Sequence, residues 1–197
     1  MHKKTIDEAK KRLFNGQLVI FPTETVYGIG GNANNEISVQ LIYKYKKRPL
    51  NNPLICHFAN IEEIEKNFIL KEKDYQLANA FWPGPLTLIL EKLKNSKITS
   101  SVSNNQNLVG CRIPNNKIAL SLLSKLDFPL AAPSANISTK TSITSISDLD
   151  NNLKKIFQID GGSSVLGLES TVIQTTHSGC KILRLGSLTI EEIKHKF

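Results

Sequence analysis

Four cations stand within five residues at Lys44, Lys46, Lys47 and Arg48, and Pro49 follows at once. A proline biases the residue before it toward extended chain, in which residues two apart share a face. The spacing therefore predicts that Lys46 and Arg48 project together into one pocket as a cationic clamp, provided the preceding helix has ended. Upstream, the apolar run Leu18-Val19-Ile20-Phe21 reads as a strand and then gives way to Pro22, Thr23, Glu24 and Thr25, polar where a plain core strand would stay apolar. Downstream, the run from Pro53 to Phe58 alternates, with Leu54, Cys56 and Phe58 on the core face and Ile55 and His57 on the other.

The same signature recurs along the chain. Polar residues gather where apolar runs end: Thr23 and Thr25, His57, Arg112, Ser134 and Asn136, Ser170 and Thr171, and Arg184. Ligand sites of open α/β sheets lie at strand ends. Gly28, Gly30 and Ala33 fit G-x-G-x-x-A, but polar PTETVY separates them from the strand, and Arg48 stands where the dinucleotide fingerprint wants an acid, so a nicotinamide site is not expected. There is no G-x-x-x-x-G-K-[ST] and no G-x-S-x-G. No nucleophile–base motif marks either Ser134 or Ser170. Cations, hydroxyls and amides without a nucleophile–base pair are the equipment of phosphate transfer, where positioning and charge neutralisation do most of the catalysis. Arginine forks suit carboxylate or phosphate.

The elements that must position these residues follow from periodicity and punctuation. A helix is predicted over 5–15 from the Thr5/Glu8 capping pattern and the Asn15-Gly16 stop, with Ile6, Ala9 and Leu13 inward. A strand over 17–22 leads to a turn at Gly28, Gly30 and Gly31. A helix over 35–45 follows, with Ile37, Leu41 and Tyr45 inward, and then the Leu54–Phe58 strand. Asn60 caps a short helix with Ile61, Ile64 and Phe68 inward; a further helix over 73–82 stops at Trp82-Pro83-Gly84-Pro85. The segment 86–90 reads as a strand, 91–107 as a polar loop, 108–113 as a strand and 118–126 as a helix. PLAAPSAN reads as a short strand running into a small-residue loop, and a Ser/Thr-rich connector over 137–147 precedes a helix near 148–157. LESTVIQ and CKILRL complete the strands, and Thr189 with Glu192 caps a terminal helix. Strands alternating with helices without a dividing linker predict one α/β domain over 1–197.

Composition excludes several classes. No apolar run approaches the ~20 residues of a membrane span, and the N-terminus carries no signal-peptide pattern. A cytoplasmic address is expected, with no membrane partner. Cys56, Cys111 and Cys180 lie apart without a CxxC pair, which predicts packed thiols. The four histidines have no companions at metal-ligand spacing, so no protein-held transition metal is expected. The net charge of +8 allows a nucleic-acid partner but is equally accounted for by a Lys-, Asn- and Ile-rich composition.

The same residues carry a resemblance. FPTETVYGIG, the K-x-R of Lys46 and Arg48 followed by Pro49 and NNPL, FWPGPLTLIL, VGCRIP, APSAN with its S-x-N of Ser134 and Asn136, LESTVI and ILRLG are similar, in order from Asn15 to Gly186, to the threonylcarbamoyl-AMP synthase or YrdC-domain family. The resemblance implies a single-domain short form: a twisted mixed sheet flanked by helices, with a concave basic active-site face. It further implies formation of threonylcarbamoyl-adenylate and pyrophosphate from L-threonine, bicarbonate or carbon dioxide, and ATP with Mg2+. The product would feed the threonylcarbamoylation of a tRNA adenosine through downstream transfer proteins, with tRNA a further candidate partner. Lys46, Arg48, Ser134 and Asn136 match the family's catalytic constellation around the phosphates. Thr25, His57, Arg112 and Ser170 match positions that hold L-threonine. Asn52, Ser142 and Arg184, with Arg48, Ser134 and Asn136, match positions on ATP. Where many members have a glycine and then a proline after the S-x-N, this chain has Thr139 and Ile143, and Gln174 replaces the usual aspartate. Two other readings compete: a carbamoyl-adenylate-forming enzyme, and an RNA-binding module of the same fold without catalysis.

Overall fold

The computed structural model describes residues 2–197. In chain order the elements are α1 (His2–Phe14), β1 (Val19–Phe21), β2 (Gly28–Asn32), α2 (Glu36–Lys46), β3 (Ile55–His57), α3 (Ile61–Glu65), β4 (Phe68–Ile69), α4 (Glu72–Phe81), β5 (Leu86–Lys92), β6 (Leu108–Arg112), α5 (Lys117–Leu123), β7 (Leu130–Ala131), β8 (Phe157–Gln158), β9 (Thr171–Thr176), β10 (Gly179–Arg184) and α6 (Ile190–Lys196). One ten-stranded mixed sheet runs β10-β9-β5-β6-β3-β7-β2-β1-β8, with β4 paired to β5. The pairs β3–β6, β5–β9 and β1–β8 are parallel.

Strand alternation divides the sheet into two unlike faces. Leu86, Leu88 and Leu90 of β5, Cys56 of β3 and Val109 and Cys111 of β6 point into the larger core, closed by Val39, Ile42 and Tyr43 of α2 and Leu77 and Ala78 of α4. Each of the leucine, isoleucine and valine side chains among these, fully buried, contributes roughly 1.5–3 kcal/mol. On the opposite face, α1 and α5 bury Ile6, Leu13, Ala119 and Leu122 against Val19 and Phe21 of β1 and Leu130 of β7. Further along that face, Ile55 and His57 of β3, Gly110 and Arg112 of β6, Ile89 of β5 and Val172 of β9 line an open cavity. The Phe21 and His57 rings meet edge to face, centroids 6.0 Å apart, where the helix-covered half gives way to the open half.

Several expectations need correction. Helix α1 starts at His2, ahead of the Thr5/Glu8 pattern, and Glu8 pairs instead with Arg12 one turn on. Gly28, Gly30 and Gly31 form no turn: they lie in β2, where the Phe21 ring crowds Gly28 and Gly30, a Cβ on Gly30 coming within 2.8 Å of it, and Leu18 and Ser38 crowd Gly31 from the other face. Helix α2 buries Val39, Ile42 and Tyr43, while Ile37 is 71% exposed, so its inward face is rotated from the one expected. The span 148–157 is not an α-helix. Asp150 Oδ1 accepts from the Asn152 amide, isolated turns follow, and Phe157–Gln158 joins the sheet edge as β8 beside β1. The 91–107 segment contains a 3-10 turn, Ser100–Ser103, whose Val102 is fully buried.

Candidate functional site

The cavity has a volume of about 290 Å³ and lies over the uncovered half of the sheet. One part of its wall is built by a turn. Thr23 Oγ1 accepts from the amides of Thr25 and Val26 and donates to the Val26 carbonyl at 2.6 Å, which folds PTETV out of the strand. Because that proton is committed, the 2.8 Å contact between the two threonine hydroxyls has Thr25 as donor. Thr25 Oγ1 in turn accepts from Arg112 Nη1 at 2.9 Å. Arg112 Nη2 donates to Glu24 Oε1 at 2.7 Å and its Nε to the Gly84 carbonyl at 3.2 Å. Both members of this ion pair are buried, with side chains only 5% and 10% exposed. Gly84 must be glycine in the turn that presents this carbonyl, since a Cβ there would sit 2.3 Å from the Phe81 carbonyl oxygen. Of the five guanidinium hydrogens, one on each Nη is left to meet a carboxylate.

His57, cross-strand from Arg112, is 4% exposed, and its Nδ1 has no hydrogen-bond partner. Burial, reinforced by the Arg112 charge, holds its pKa down at about 3. The ring is therefore neutral near pH 7.

Another part of the wall is a loop held from behind. Lys46, the last residue of α2, is 1% exposed and donates to the carbonyl oxygens of Ser134 and Asn136 and, at 3.2 Å, to Asn136 Oδ1. Burial, and secondarily Arg48, pulls its pKa down to about 7, while Glu169 opposes the shift. Lys47 then takes a left-handed conformation, φ 51°, and turns the chain so that Arg48 faces the cavity, donating to the Asn52 and Pro53 carbonyls at 3.0 and 2.9 Å. The expected shared face of Lys46 and Arg48 does not form. A helix C-terminus falls between them, so Lys46 braces the loop and Arg48 lines the opening.

A third part joins β9 to β10. Ser170 Oγ is 2.7 Å from Thr87 Oγ1, and Arg184 Nη2 donates to the Ser170 carbonyl at 2.8 Å and to its hydroxyl at 3.2 Å. Glu169 is ion-paired to Arg184 and accepts from Ser142 Oγ at 3.0 Å. Burial raises the Glu169 pKa, but Arg184, the Ser134 and Ser142 hydroxyls and Lys46 outweigh it and hold the carboxyl below its ordinary range. Gly186 allows this packing, because a Cβ there would lie 2.1 Å from the Glu169 carbonyl oxygen.

Comparison with known proteins gives the arrangement a lineage. Residues 11–186 match the family model Sua5_yciO_yrdC, described as "Telomere recombination". The chain belongs to this family. It is 42% identical over 202 residues to a threonylcarbamoyl-AMP synthase of Pyrococcus abyssi, covering 98% of this chain and 58% of that protein. It is 41% identical over 194 residues to a threonylcarbamoyl-AMP synthase of Bacillus subtilis, covering 96% and 55%. The chain thus spans a little over half the length of these curated relatives. Among solved structures it superposes on P. abyssi Sua5 complexed with L-threonine with a TM-score of 0.92 and 41% identity, covering 100% of this chain and 58% of that one.

Among the residues that family resemblance singled out, Thr25, Arg48, Asn52, His57, Arg112, Ser134, Ser170 and Arg184 line one cavity, although they come from six separate stretches. Lys46, Asn136 and Ser142 are not among its lining residues. Lys46 and Asn136 stand behind the loop wall, and Ser142 reaches the site through Glu169. Neither carboxylate that organises the arginines is among the site residues expected from sequence. Each had a local signal: Glu24 sits inside the polar PTET that interrupts a strand, and Glu169 directly precedes Ser170.

Proposed function

We propose that the chain is a threonylcarbamoyl-AMP synthase, joining L-threonine, bicarbonate or carbon dioxide, and ATP into threonylcarbamoyl-adenylate with release of pyrophosphate. The observation that carries the reading is the single cavity lined both by a buried arginine–hydroxyl nest, Arg112 with Thr25, and by two more arginines, Arg48 and Arg184, with Ser134. A substrate with a carboxylate and a hydroxyl suits the first. A polyphosphate suits the second. The 42% identity to an enzyme of that name over nearly the whole chain supports it.

In this reading the two free hydrogens on Arg112 Nη1 and Nη2 take the threonine carboxylate, and Thr25 and Ser170 offer hydroxyl contacts that amino acids without matching groups would leave unpaired. Neutral His57 contacts threonine without competing for its carboxylate. The threonine nitrogen adds to carbon dioxide and loses a proton. The new carbamate oxygen attacks the α-phosphorus, the bond to the β-phosphate bridging oxygen breaks, and pyrophosphate leaves. Arg48, Arg184 and the Ser134 hydroxyl meet the negative charge that grows on phosphate oxygens, on a face we infer to be concave and basic. Lys46 and Asn136 act by holding the Ser134 loop in place, and Asn52 positions Arg48 through its carbonyl. No group of three His, Cys, Asp or Glu side chains suited to a metal occurs among the described residues. A magnesium ion would therefore come with the nucleotide, held mainly by phosphate oxygens, and Glu169, the one acidic residue among the described lining residues, is compatible with it. Bound so, it supplies charge neutralisation at the phosphates. We further infer a cytoplasmic setting, with the labile product handed to proteins that transfer the threonylcarbamoyl group to tRNA adenosine.

The test is a product assay by mass spectrometry with ATP, threonine and bicarbonate, each left out in turn. Threonylcarbamoyl-adenylate is expected only when all three are present. Pyrophosphate release indifferent to threonine would overturn the reading.

A further inference from the structure

The residues that would have to hold nucleotide phosphate already hold an anion. Glu169 accepts from Arg184 through Oε2 and from Ser142 through Oε1, and the Ser134 hydroxyl also contributes to keeping the carboxylate charged. Arg184, Ser142 and Ser134 are three of the residues that resemblance to the family assigns to ATP. The carboxylate engages Arg184 Nη1 and the Ser142 hydroxyl, donors that an incoming phosphate oxygen would also seek, so the two anions compete for them.

We propose that Glu169 is the resident anion of the phosphate subsite, occupying Arg184 Nη1 and the Ser142 hydroxyl until polyphosphate arrives and then yielding them. This rests on the nucleotide-binding reading given above. The backbone at Glu169 is fixed: its carbonyl accepts from the Ser187 amide at 2.9 Å and from the Ser187 hydroxyl at 3.1 Å, and Gly186 packs directly on it. Only the side chain is free to turn. The pair it makes with Arg184 is partly exposed, at 37% and 41%, and pairs in that setting are weak and exchangeable. Arg184 does not depend on Glu169 for its place, because its Nε and Nη2 also donate to the Ser170 carbonyl. When the carboxylate swings away, the guanidinium stays and presents its Nη1 to the cavity.

Glu169 therefore sets how tightly free polyphosphate binds, by occupying the donors and by repelling the incoming charge. The experiment is calorimetric titration of inorganic pyrophosphate in the presence of a chelator into the wild-type chain, Glu169→Gln and Glu169→Ala, with L-threonine titrated in parallel. Both variants should bind pyrophosphate about tenfold more tightly than wild type, with threonine affinity unchanged. A merely structural role would loosen pyrophosphate binding. Unchanged or weaker binding by two folded variants, their folding checked by circular dichroism, would therefore overturn the proposal. If neither wild type nor variants bind pyrophosphate or ATP at all, the nucleotide-binding reading falls, which is a separate outcome from wild-type binding that the variants do not improve.

Discussion

Two arginine–carboxylate pairs serve one cavity and are built in opposite ways. Arg112 and Glu24 are buried and meet at 2.7 Å, and Arg112 also donates to Thr25 Oγ1 and the Gly84 carbonyl. Arg184 and Glu169 are roughly 40% exposed, and their partners are hydroxyls and a carbonyl at the rim. Charge desolvation makes the first pair costly to break, whereas solvent screens the second. A pair that recognises a small substrate by shape gains from rigidity. A pair that admits a large anion gains from a partner that can leave.

The largest expected effect is at the buried pair. Glu24→Ala strands the Arg112 charge and should lower stability by about 3–5 kcal/mol, with threonine binding lost; Glu24→Gln, which can still accept a hydrogen bond, should lose less of both. Chemical denaturation and threonine titration check this, and a melting transition unmoved by Glu24→Ala would remove the distinction between the two pairs. Next, Gly186→Ala should cost roughly 1–3 kcal/mol through overpacking against the Glu169–Ser170 backbone and weaken nucleotide binding more than threonine binding. A stability equal to wild type would show that the backbone under Glu169 is not fixed.

A pH effect separates the two further. The His57 pKa in the fold, about 3, lies below its ordinary value of 6.5, so the unfolded chain takes up this proton first as pH falls. Its contribution to stability is fully present above about pH 6.5 and is lost as pH drops from there toward 3. In His57→Asn the decline across that window should be shallower, which denaturant midpoints from pH 7 to pH 4 measure; equal slopes would contradict the assignment. The smallest effect is at the rim: Glu169→Ala should change stability by no more than about 1 kcal/mol, and a loss as large as that of Glu24→Ala would erase the contrast.

Much of the fold was legible. Asn60 and Thr189 cap the helices they precede, Leu54, Cys56 and Phe58 are buried while Ile55 and His57 face the cavity, and the helix before Trp82-Pro83 stops there. These features depend on neighbours a few residues apart. The differences arise where distant packing overrides local pattern: the glycines lie in a strand crowded by Phe21 on one face and by Leu18 and Ser38 on the other, and Phe157–Gln158 at the end of the 148–157 span joins the sheet edge next to β1.

By itself the sequence determined which residues are polar where strands end, and so which stretches carry the chemistry. Only the tertiary structure decided what each one faces. Lys46 and Arg48, two residues apart, part company at a helix terminus, while Glu24 and Arg112, 88 residues apart, become one buried pair. The reason is physical: periodicity assigns a side chain to a face, but the partner that satisfies a buried charge is chosen by which strands lie side by side, and that order is a property of the whole sheet.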